Sequence, residues 1–140
     1  MSGNPVLLTA GVLNAAAALL HLGCILGGPA WYRFFGAGEG MARAAARGDP
    51  KAALITLAIA AVLAIWAAYA FSGAGVIARL PLLKLGLAAI SVVYLLRAIG
   101  YIPALYATGA PVGTFAWVSS AIVAVYAAVH IIGTAQLWRA

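Results

Sequence analysis

The chain has 140 residues, of which 66% are hydrophobic and 7% charged, and a mean hydropathy of +1.11. A soluble domain of this size needs far more polar surface, so the composition points to an integral membrane protein. Eight Lys/Arg against Glu39 and Asp49 give a net charge of +6; in an apolar chain this excess anchors loops to anionic headgroups and sets orientation, so no nucleic-acid partner is expected.

The apolar runs are continuous and rich in Ala and Leu, without the alternation of barrel strands, so the spans are helices. The expected fold is an all-α membrane protein: one polytopic domain over 1–140, an antiparallel bundle of four transmembrane helices. The first span covers about 5–28. Asn4 caps it, Pro5 takes the first helical position and Gly27-Gly28-Pro29 stops it. Met1–Asn4 carries no Lys or Arg, unlike the start of a cleaved leader, so this segment is expected to be retained. The single cysteine, Cys24, excludes an intrachain disulfide.

Residues 29–49 form an amphipathic, interfacial connection. Trp31-Tyr32-Arg33-Phe34-Phe35 has the pattern of an aromatic belt, and Met41 to Arg47 suits a short surface helix. The second span covers about 52–71, capped by Asp49 and opened by Pro50. A short amphipathic turn is expected at Val76–Leu80. The third span, about 82–102, is bracketed by Pro81 and Pro103. The fourth covers about 114–137, after Gly109-Ala110-Pro111. Small residues recur every fourth position: Gly23 and Gly27; Ala60, Ala64 and Ala68; Ala116, Ser120, Ala124 and Ala128. Such stripes allow close helix approach, within the bundle or in a homo- or hetero-oligomer. On this reading Ala64→Phe overpacks a contact.

Polar residues within the spans define the candidate site. If helices alternate direction, His21 and Arg97 lie at similar depth, near the face that carries Glu39. Ser91, Tyr94, Arg97 and Tyr101 share one arc of the third helix. The candidate ligand-binding pocket is therefore His21, Glu39, Tyr94, Arg97 and Tyr101, with Asn14 and Ser119 beside it. An arginine inside a span is costly and is expected to have partners; Glu39 is the available carboxylate, because Asp49 serves as a cap. A haem held by His21 and His130 is not expected, since the two fall at different depths. No catalytic residue, metal site or cofactor is called: there is no nucleophile motif or phosphate loop, and two carboxylates are too few for a carboxylate-held metal.

The first expectation for function is a non-enzymatic component or subunit of a membrane assembly. The alternative is a transporter or ligand-binding protein using the pocket around His21, Glu39 and Arg97. Least favoured is a membrane enzyme acting on a lipid-like substrate. The first connection carries Arg33, Arg43, Arg47 and Lys51, which places it in the cytoplasm of a bacterial-type inner membrane and both termini in the periplasm.

Overall fold

The computed structural model describes residues 3–140; Met1 and Ser2, part of the uncharged stretch before the first span, lie outside the described residues. Six helices follow one another: α1 (Pro5–Gly27), α2 (Pro29–Phe34), α3 (Glu39–Ala46), α4 (Pro50–Gly73), α5 (Leu83–Thr108) and α6 (Thr114–Arg139). Among the described residues there is no strand. Four of the helices, α1, α4, α5 and α6, are long and apolar enough to cross a membrane. At 1.5 Å per residue, their 23 to 26 residues extend about 35–39 Å, more than the ~30 Å hydrocarbon layer.

The two caps form as the sequence implies. The Leu7 amide donates to Asn4 Oδ1 at 3.0 Å, and the Lys51 amide to Asp49 Oδ1 at 2.9 Å. Each satisfies a backbone donor that the first helical turn cannot. The aromatic stretch after Pro29 is itself helical, with Pro29 in its first turn.

Two boundaries differ from expectation. The third span does not end at Pro103; α5 runs through it to Thr108 and closes on Gly109, at φ 70°. Proline removes one backbone donor, whereas stopping there would strand several, so in apolar surroundings the helix continues. Val76–Leu80 is not helical. Ser72 ties that loop to the end of α4: its hydroxyl donates to the Ala78 carbonyl at 2.9 Å and accepts from the Leu80 amide at 2.9 Å.

The small-residue stripes are also displaced. Along α4 the buried positions are Ala52, Thr56, Ala60, Leu63, Ala67, Ala70 and Ser72, while Ala64 is exposed. Along α6 they are Ala116, Ser120, Ala127, His130, Gly133 and Thr134, while Ala124 and Ala128 are exposed. Four residues turn a helix through about 400°, so a strict four-residue repeat drifts about 40° per step off any fixed face. The buried line instead mixes mainly steps of four and three, which keeps it on one face.

The chain divides into two compact units. One joins the stretch up to Leu13 with Trp66–Ala140. Its core is Leu7, fully buried, which lies over Gly73 and Gly133 so closely that a Cβ on either would come within 2.7 Å of the Leu7 side chain. Here α5 and α6 run side by side in opposite directions: Ser91 pairs with Thr134 at 3.4 Å, and further along Arg97 reaches Ser119 and Ser120. The Tyr126 hydroxyl donates to the Leu13 carbonyl at 2.8 Å.

The other unit is Asn14–Ile65. Its core is Cys24, Tyr32, Ala42, Ala44 and Ala52, flanked by Phe35 and Met41. Gly23 and Gly27 of α1 face the short helix α2 there. They form a shelf for the Trp31 indole, and a Cβ on Gly27 would fall inside that ring.

Candidate functional site

The Asn14–Ile65 unit holds a partly open cavity of about 340 Å³. Leu20, Ile55, Ile59 and Phe35 supply apolar walls; His21, Cys24, Tyr32 and Thr56 supply the polar edge. The polar groups are locally organised. The Thr56 hydroxyl donates to the Ala52 carbonyl at 2.8 Å, and the Tyr32 hydroxyl lies 3.0 Å from Thr56 Oγ1 and 3.4 Å from the same carbonyl. His21 Nδ1 is 2.7 Å from the Ala17 carbonyl. A carbonyl only accepts, so Nδ1 carries the proton, and in the neutral ring Nε2 is an acceptor.

Glu39 belongs to the same unit but is engaged elsewhere. Both its carboxylate oxygens accept from Arg33, at 3.0–3.2 Å, and Arg43 lies 3.7 Å away. The Arg33 hydrogen bonds hold its carboxyl below the usual carboxylate range, aided by the nearby positive charges. Both side chains are about half exposed, and the pair ties the end of α2 to the start of α3.

Arg97, Tyr101 and Tyr94 lie in the other unit, on the inner face of α5, together with Ser91. The arginine is half-buried. Its Nη1 donates to Ser120 Oγ at 3.4 Å and its Nη2 to Ser119 Oγ at 3.3 Å, while its guanidinium carbon sits 3.8 Å from the Tyr101 ring centre. Because α5 continues to Thr108, Arg97 is eleven residues from the helix end (97 to 108) rather than five from residue 102. Tyr94 packs in an aromatic cluster, with ring centres 5.1 Å from Trp66, 5.4 Å from Tyr126 and 4.8 Å from His130. His130 is fully buried, and its Nδ1 bonds the Tyr126 carbonyl at 2.6 Å.

The five sequence candidates thus distribute among three local settings: His21 at the cavity, Glu39 in a surface ion pair, and Arg97 with Tyr101 and Tyr94 on α5. Sequence reasoning missed Tyr32 and Thr56 as site residues; it set Ser120 at the same end as Arg97 but outside the pocket. A signal for Thr56 was available, since it is the one non-aromatic polar side chain within the apolar run from Ala52 to Phe71. Among the described residues no group of three or more His, Cys, Asp or Glu is placed to hold a metal ion. No family model, no curated protein and no solved structure matches this chain.

Proposed function

We propose that the chain is a multi-pass protein of a bacterial-type inner membrane, an antiparallel bundle of four transmembrane helices, and that it serves as a non-enzymatic component of a membrane assembly. The observation that carries this reading is the division of chemistry across each span. Only 22–28% of each apolar stretch is buried, so most of it presents aliphatic side chains outward, Leu96, Ile99, Ile122 and Val125 among them. The polar side chains are turned inward and used: Ser91 with Thr134, Tyr126 with the Leu13 carbonyl, Tyr32 with Thr56. Outward apolar faces of this extent meet lipid or other membrane helices, and leave little chemistry for turnover.

The test is site-directed photocrosslinking in the native membrane from Leu96, Ile99, Ile122 and Val125. A discrete protein adduct from a contiguous subset of these positions is the expected outcome. Adducts with lipid alone at every position overturn the assembly reading.

The cavity beside His21 favours a second reading, a ligand-binding protein or transporter. Its volume suits a small apolar ligand with one polar group. Filling it from its exposed wall with Ile59→Trp would abolish ligand uptake on this reading and leave an assembly role intact.

A further inference from the structure

Arg97 is held on three sides, and none of those contacts neutralises it. Ser119 and Ser120 accept one hydrogen bond each, and Tyr101, one turn further along α5, offers its ring face. Ser119 directs its own proton to the Ala116 carbonyl at 3.3 Å. The chain has only two acidic side chains. Glu39 is taken by Arg33 and Arg43, and Asp49 caps α4. A guanidinium within an apolar span is costly without a counter-charge.

The arrangement leaves hydrogen-bonding capacity directed at an anion. A guanidinium has five N–H donors in one plane; two go to the serine hydroxyls, and the rest keep the fork that matches two oxygens of a phosphate. Ser119 has already directed its proton to the Ala116 carbonyl, while Ser120 accepts from Arg97 and has a proton to give. Ser119 and Ser120 lie five and six residues into α6 from Thr114, about 8–9 Å along its axis. Exposed Tyr106, Phe115 and Trp117 ring the same end of the α5–α6 pair, the placement of an interfacial aromatic belt. Arg97 lies about 16 Å from the Thr108 end of α5, so it is from the α6 side, whose start is nearer, that a phosphate at the edge of a lipid leaflet comes within reach.

We infer that Arg97, Ser119, Ser120 and Tyr101 form a binding site for the phosphodiester of a phospholipid headgroup. The guanidinium supplies charge and a planar fork, the hydroxyls fix its orientation, and the Tyr101 ring covers one face.

The experiment uses the full chain, delipidated in a non-ionic, phosphate-free detergent, with adducts followed by native mass spectrometry. The probes are dimyristoyl phosphatidylglycerol, dimyristoyl glycerol and inorganic phosphate. A charge-assisted bidentate contact is expected to give half-occupancy by the phospholipid at roughly tenfold lower concentration than by the diacylglycerol. Arg97→Gln should erase that preference, while Arg79→Gln and Arg139→Gln should keep it. The double change Ser119→Ala with Ser120→Ala should reduce it at an unchanged melting temperature, which keeps the test open if Arg97→Gln fails to fold. The inference is overturned if Arg97→Gln retains the preference, or if all three arginine variants lose it equally, which would mean diffuse attraction. Displacement of the phospholipid by inorganic phosphate at equal concentration also overturns it, assigning the site to a soluble anion.

Discussion

Arg33 and Glu39 are six residues apart and fold back on one another across the turn between α2 and α3. The arginine holds the Glu39 carboxyl below its ordinary range. A carboxyl with a lowered folded pKa contributes stability that is present above the unfolded value and lost as pH falls through the folded one. A carbon-detected NMR titration should therefore find Glu39 titrating below about 4.3, the free-glutamate value, and Arg33→Gln should move the midpoint up toward it. An unchanged midpoint in that variant would mean that Arg43 or solvent sets the value. Both groups face water, so the effect on global stability is expected to be small. Tyr32 is different, being 2% exposed with its hydroxyl against Thr56. Tyr32→Phe leaves Thr56 its own acceptor, the Ala52 carbonyl, so no donor is orphaned. The loss should be about 0.5–1.5 kcal/mol, read as a modest drop in detergent-solubilised melting temperature.

At the scale of the helix, the buried line decides which small residues matter. Ala67 is buried and Ala64, three residues earlier, is exposed. Ala67→Phe should cost about 1–3 kcal/mol by overpacking, and Ala64→Phe much less. Melting temperatures of the two variants compare them directly; equal losses would place a further helix against the Ala64 face. Gly133→Ala provides a second comparison. Its Cβ would approach the Leu7 side chain to 2.7 Å and the Leu7 backbone nitrogen to 3.3 Å. The side chain can shift and the backbone cannot readily do so. A loss of about 1–3 kcal/mol is expected from this one methyl group, against almost none for Ala124→Leu on the exposed side of α6.

At the scale of the whole molecule, the proposed four-span topology puts both ends of the chain on one side of the membrane. On the proposed orientation that side is periplasmic, because Arg33, Arg43, Arg47 and Lys51 gather in and beside the first connection. A reporter active only in the periplasm should work when fused at Ala140 and fail when inserted within 41–48. The reverse pattern would invert the orientation and leave the four spans standing.

The number of long apolar helices, their starts at Pro5, Pro50 and Thr114, and the shared arc of Ser91, Tyr94, Arg97 and Tyr101 are legible in the order of residues alone. These are local properties: a cap bonds within three residues, and an arc follows from the rise and turn of one helix. The partners of these side chains depend instead on which helices pack together. Arg97 meets Ser119 and Ser120 rather than the carboxylate that charge alone would choose, since Glu39 closes a nearer pair with Arg33. The stripe on α4 bends from Ala64 to Leu63 and Ala67, because a neighbour selects a face and 3.6 residues per turn dictates which side chains stay on it. The helix through Pro103 belongs with these. A proline reads locally as a stop, but in apolar surroundings the backbone donors beyond it have nowhere else to bond.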